Sequence, residues 1–289
     1  INAFGAMSDL EWIGSILRDM ERQRDITMDW NTYAVAAKFY IDGGDRDKAI
    51  ELLKMSETRL ESKDGQGYNH LITLYARLGS KTEVLRLWGL EKEVCKRRIN
   101  QDYLTVLQSL VKIDALREAE EVVKEWESSG NCYDFRVPSV VIRGYAGKGM
   151  EEKAEAMLED LARRGKATTP DSWGLVASAY AEKGVLDNAF KCMKTALGVE
   201  VENRKWRPGT KLVTSVLSWL GDEGSLREVE SFVASLRDCV SVNKQMYHAL
   251  VKADIRQGGS NVDTLLQRMK DDKIETDEET TAIIRTRSP

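Results

Sequence analysis

The residues able to do chemistry are few and scattered. Cys95, Cys132, Cys192 and Cys239 are spaced 37, 60 and 47 residues apart, no CxxC pair occurs, and His70 and His248 are the only histidines. A zinc site needs ligands at short, paired spacings, so none is expected. A deaminase centre, built on His-x-Glu with CxxC, is excluded on the same ground. Isolated cysteines in helices read as small buried apolar groups in a reducing compartment. The paired carboxylates Glu120-Glu121 and Glu151-Glu152 could serve as acid and base. Each pair, however, falls at a predicted helix start, where acidic side chains offset the helix dipole, and that reading is favoured. No catalytic residue, metal, cofactor or small-molecule substrate is therefore expected.

What remains is cationic. Three basic clusters stand out, namely Lys96-Arg97-Arg98, Arg163-Arg164 with Lys166, and Arg204-Lys205-Trp206-Arg207. Their chemistry would be phosphate contact, with Trp206 as a stacking or anchoring group. The plainer reading, basic residues completing a helix end, is favoured for the first two clusters. The third sits in an insertion and is favoured as functional. Because 43 lysines and arginines face 47 aspartates and glutamates, a formal charge of −4, the chain is no general polyanion binder; any nucleic-acid contact must come from a local basic strip. Apolar residues never run to 18 in succession, so no membrane span is expected. A chain that opens at Ile1 and not at methionine is expected to be preceded by further residues; no targeting segment is readable from it.

The elements that position these residues announce themselves by self-similarity. Turn-type residues recur at Gly44, Gly79, Asp114, Gly149, Gly184, Gly224 and Gly258, in steps of 35, 35, 35, 35, 40 and 34. Five residues after the first six come Ala49, Val84, Ala119, Ala154, Ala189 and Val229. Four before them stand Tyr40, Tyr75, Leu110, Tyr145, Tyr180 and Leu220, and nine after them Leu53, Trp88, Val123, Leu158, Met193 and Val233. Each unit reads as an amphipathic helix, a left-handed turn and a second helix whose small residue lets the pair approach closely. One hairpin cannot bury its own apolar face, so neighbours must stack.

The expected fold is all-α, a right-handed superhelical solenoid of helix-turn-helix repeats. An incomplete N-terminal repeat occupies 1–29. Seven repeats follow at 30–64, 65–99, 100–134, 135–169, 170–209, 210–243 and 244–278, and a C-terminal fragment at 279–289. The fifth repeat is 40 residues long, its surplus lying in the tail from Glu200 to Gly209. Tyr33, Tyr68, Tyr103 and Tyr247 share one repeat position and read as packing residues, as do Trp12, Trp30, Trp88, Trp126, Trp173 and Trp219.

These columns resemble the pentatricopeptide repeat. The opening Tyr68-Asn69-His70-Leu71-Ile72 matches that family's first helix, and tails ending in Asp29, Asp64 and Asp134 match its close. The period of 35 fits it better than the tetratricopeptide repeat. The resemblance implies a non-enzymatic RNA-binding scaffold of the plain-repeat class, working in a plant organelle: the mitochondrion, with the chloroplast as alternative. It further implies that the fifth residue of each repeat and the last together select a base while the second residue sandwiches it. Those reading pairs are Ala34 with Asp64, Asn69 with Ile99, Leu104 with Asp134, Ser139 with Thr169, Gly174 with Gly209, Thr214 with Asn243, and His248 with a residue near Asp277. Only Thr214 with Asn243 resembles a combination the family uses, that for adenine. The sandwich positions hold Asn31, Gln66, Gln101, Arg136, Asp171, Lys211 and Gln245. All are polar, which forgoes stacking of about 1–3 kcal/mol per base.

This departure resembles the subset of plant mitochondrial repeat proteins that sit on the ribosome. The partners it implies are structured ribosomal RNA, held by shape and phosphate contacts, and ribosomal proteins. The alternatives are a sequence-specific factor for transcript processing or stability, and a tetratricopeptide-like protein adaptor.

Overall fold

The computed structural model describes residues 10–23, 25, 27–61, 64–95, 97–199 and 206–286; Lys96, Arg204 and Lys205 of the basic clusters lie outside them. Among the described residues there are sixteen α-helices and no strand. They are α1 (Leu10–Arg22), α2 (Trp30–Asp42), α3 (Arg46–Thr58), α4 (Gly65–Arg77), α5 (Lys81–Val94), α6 (Asn100–Lys112), α7 (Leu116–Ser128) and α8 (Arg136–Gly147). They continue as α9 (Glu151–Arg163), α10 (Pro170–Glu182), α11 (Leu186–Gly198), α12 (Thr210–Glu223), α13 (Leu226–Arg237), α14 (Lys244–Arg256), α15 (Val262–Asp271) and α16 (Glu278–Arg285). The chain divides into two compact units, one up to Gly144 and one from Tyr145 on. No described helix is long and apolar enough to cross a membrane, and no described cluster of His, Cys, Asp and Glu could hold a metal ion.

Local chemistry sets the helix limits. The first helices start on side-chain caps: Asp29, Asp64, Thr169 and Asn243 each accept a hydrogen bond from the backbone N–H three residues on. Such caps satisfy donors that the helix leaves orphaned. They stop in a recurrent turn. The backbone N–H of Asp45, Ser80, Ala115, Met150 and Val185 donates to the carbonyl of Tyr40, Tyr75, Leu110, Tyr145 and Tyr180, at 2.8–3.0 Å. The residue before each of these donors is left-handed, including Asp114 at φ 63°, where a short polar side chain tolerates what other residues resist.

Gly224 breaks the expected pattern. Its φ is −77° and its ψ 160°, and its N–H bonds directly to Leu220. Here α12 runs one residue longer, and Ser225 opens α13 with a reciprocal capping box to Glu228. Glycine is required at 224 for space: a Cβ would fall 2.7 Å from the Leu220 carbonyl oxygen.

The packing columns are the core. Ala49, Val84, Ala119, Ala154, Ala189 and Val229 are wholly buried, as are nearly all the bulky residues before and after each turn. Trp30 and Trp219 are half-buried and pack against His70 and Phe190, with ring centroids 5.9 and 6.0 Å apart. Two expectations need correction. Trp12 is 51% exposed because α1 turns Ile13, Gly14 and Leu17 inward, leaving residue 12 off that face. Cys132 is exposed, since it falls in the tail after α7 and not within a helix.

Several ion pairs tie one hairpin to the next. In the first unit Arg77 pairs with Asp42, Arg86 with Glu57 at 2.6 Å, Lys81 with Glu118 at 2.5 Å and Lys92 with Glu125 at 2.9 Å. In the second, Lys183 pairs with the buried Glu151 at 2.6 Å and Arg237 with Asp272 at 3.1 Å. Arg256 donates to the backbone carbonyls that end α12, among them Gly224 at 2.8 Å. Glu91 is the exception. On α5 it is fully buried, and neither carboxylate oxygen has a hydrogen-bond partner. Burial pushes its pKa from 4.5 up to about 8, with Asp102 adding to the rise and Arg98 opposing it.

Two outcomes are expected. Ala154→Phe should cost about 1–3 kcal/mol, because a column that holds two helices in contact cannot absorb the ring; thermal denaturation reads it as a lowered Tm. For Glu91, the unfolded carboxyl ionises near 4.5 while the buried one keeps its proton to about 8. Between those values the folded chain binds more protons, so stability should fall as pH rises and then level off. In Glu91→Gln that decline should be much reduced, which a Tm series from pH 5 to 9 on both proteins will check.

Candidate nucleic-acid interface

In the first unit, α6 and α8 enclose an open groove of about 540 Å³. Its rim carries Lys112, Arg136 and Arg143 together with the carboxamides of Gln101 and Gln108, and its floor is Leu104, Val111 and Val140. No carboxylate lines it. All three cations are exposed. Arg136 grips Asp134 at 2.7 Å and holds that carboxyl below its usual range. Lys112 and Arg143 have no ion-pair partner among the described residues, in contrast to the tied cations elsewhere. Such a groove offers charge to phosphates, amides to base edges or ribose, and an apolar floor for a ring.

The sequence reading did not single out Lys112 and Arg143, because it looked for runs of cations. The repeat register held the signal. Gln101 and Arg136 are 35 residues apart, as are Leu104 and Ser139, and Gln108 and Arg143, so one face of successive first helices carries all of them.

The basic clusters fare differently. Of the first, Arg97 is exposed, while Arg98 turns back to the Lys92 carbonyl at 3.3 Å and to the Tyr103 hydroxyl at 3.5 Å. In the second, Arg163 and Arg164 share Asp160, at 3.4 and 2.8 Å, and Lys166 is exposed. These contacts suit the helix-end reading. Of the third, Arg207 is exposed and Trp206 is half-buried.

Trp206 packs on Gly174 of α10. A Cβ at Gly174 would fall 2.2 Å from Cζ2 of the indole. A ring seated this close uses the space that only glycine leaves.

The base-reading columns are mostly out of reach. Ala34, Leu104, Ser139, Gly174 and His248 are buried, and His248 is bonded through Nε2 to Thr280 Oγ1 at 2.8 Å beneath α16. Asn69 is half-buried and donates to Asp102 at 2.7 Å. Thr214 alone of that column is exposed. Its partner Asn243 accepts from the Met246 N–H at 3.2 Å as the cap of α14. The seven polar sandwich positions, by contrast, are all exposed.

The PPR repeat family model matches residues 138–165. Over all 289 residues the chain is 84% identical to a mitochondrial pentatricopeptide repeat-containing protein of Arabidopsis thaliana, of which it spans 59%. It is 29% identical, over 91% of its length, to a large ribosomal subunit protein of the same plant, of which it spans 54%. The chain thus covers little more than half of these relatives. Its fold is similar to that in a crystal structure of a maize pentatricopeptide repeat protein, at a TM-score of 0.56 and 16% identity over 97% of this chain and 45% of that one.

Proposed function

The chain belongs to the pentatricopeptide repeat family, and from that premise we propose that it is a non-catalytic scaffold for RNA and ribonucleoprotein in mitochondrial gene expression. Its compartment is that of the relative with which it shares 84% identity. The observation that carries the reading is the groove between α6 and α8, which no carboxylate lines and where Lys112 and Arg143 have no ion-pair partner among the described residues. Cations left unpaired on one face are what phosphate contact requires.

The groove serves RNA held by backbone and shape more than by base edges. In the reading column Ala34, Leu104 and Gly174 have no group able to hydrogen-bond a base, Ser139 turns its hydroxyl onto the Arg136 carbonyl, and His248 is buried and bonded to Thr280. A scaffold that grips phosphates without reading sequence suits folded RNA. The relative that is a large ribosomal subunit protein supports placing this chain in the mitochondrial ribosome, among ribosomal RNA and ribosomal proteins. The exposed Arg97, Lys166 and Arg207, with Arg163 and Arg164, would then be secondary contacts at the tails between hairpins.

Sedimentation of the native protein from lysed plant mitochondria tests this directly. Co-migration with one ribosomal subunit through a high-salt wash is expected. Migration as a small, ribonuclease-sensitive complex would instead favour a factor dedicated to one transcript. The double variant Lys112→Ala, Arg143→Ala should weaken binding to a fluorescent RNA hairpin. It should also make the plot of log K against log salt shallower by about 1–2, as expected when two phosphate contacts are lost. Unchanged affinity and slope would remove the groove from the interface.

A further inference from the structure

We infer that the hairpin of α10 and α11 is closed to RNA by its own tail, with Trp206 seated where an incoming strand would otherwise lie. The inference rests on the groove reading above and concerns a hairpin of the second unit that carries the same register.

The 35-residue register supplies the comparison. Leu104 and Ser139 line the groove on α6 and α8, and Gly174 is the residue in the same register on α10. There the lining side chain is missing and the indole of Trp206 fills its place, so near that a Cβ at Gly174 would meet Cζ2 at 2.2 Å and Cε2 at 2.9 Å. The ring belongs to the tail that makes this repeat 40 residues long.

Charge and hydrogen bonding on α10 point the same way. In register with Gln101 and Arg136 stands Asp171, and in register with Lys112 stands Glu182; both carboxylates are exposed. In register with Gln108 and Arg143 stands Ser178, whose hydroxyl is turned back onto the Gly174 carbonyl at 2.8 Å. Three cations, amides and an open floor on α6 and α8 are thus replaced on α10 by two anions, a self-satisfied hydroxyl and a filled floor. A phosphate beside Asp171 and Glu182 would meet like charge. A base approaching Gly174 would have to displace a packed indole. Either obstacle alone discourages binding, and together they close this hairpin to RNA.

The experiment uses the full-length protein and a 20-nucleotide single-stranded RNA containing 4-thiouridine, with photocrosslinked peptides identified by mass spectrometry. In the wild type, crosslinks should fall on α6 and α8 and be absent from Trp206 and α10. In the double variant Trp206→Ala, Asp171→Gln, crosslinks should appear on α10, rising from background to the level of the groove peptides. Wild-type crosslinks on Trp206 itself would overturn the inference and make the indole a stacking platform. Wild-type crosslinks on α10 would overturn it as well. So would a double variant of native circular dichroism that crosslinks on α6 and α8 but gains nothing on α10. Loss of crosslinks from α6 and α8 in the wild type would be a different failure, that of the groove reading.

Discussion

A two-helix hairpin has too little interior to bury its own apolar face, and everything else in this molecule follows from its need for neighbours. The contact is made by residues chosen for smallness. Ala49, Ala119, Ala154 and Ala189, with Val84 and Val229, let two helix backbones come close, and the bulky residues around each turn fill the remaining space. The turn must then reverse the chain without projecting into a neighbour, hence the left-handed residue repeated at nearly every hairpin. Side-chain caps on the next helix complete the unit.

That arrangement explains why the charge total says little about partners. Carboxylates and cations on successive hairpins face one another at intervals close to one repeat, and many of the lysines and arginines are used there. Exposed pairs of this kind contribute little stability individually, but each removes a cation from the surface offered to RNA. The basic clusters obvious in the sequence are partly absorbed in the same way, Arg98 by the end of its own helix and Arg163 and Arg164 by Asp160. Lys112 and Arg143 are among the described cations that have no carboxylate partner, and they meet in one groove.

The fold was highly legible in the amino-acid sequence because its period is covalent: a column of alanines 35 residues apart can be read from the chain alone. The turns and the buried columns follow directly. Gly224 escaped, since the same glycine can answer a demand for positive φ or for space, and only the length of α12 distinguishes them. Trp12 escaped because only the inward turn of Ile13, Gly14 and Leu17 leaves it off the buried face of α1. The interface was less legible. Lys112 and Arg143 come together only across two helices, and the indole of Trp206 meets Gly174 from 32 residues further along the chain. The polar sandwich positions were readable and are exposed as their character suggests; the burial of the reading column was not, since Leu104 and Ser139 look alike in sequence whether covered or open.

The helix caps carry a consequence for how such a chain can change. The closing residue of a hairpin, the position from which a base would be chosen, is also the residue that starts the next first helix: Asp64, Thr169 and Asn243 each hold an N–H of the helix that follows. An exchange there alters recognition and anchoring at once, and replacing a good cap by an apolar residue costs about 0.5–2 kcal/mol. The alphabet open to evolution at these sites is therefore narrowed to side chains that cap well, whatever they might recognise. Ile99, which begins α6 without a side-chain cap of its own, marks a place where that restriction has already been relaxed. There Asp102, three residues on, takes up the slack by accepting the Ile99 N–H at 2.8 Å.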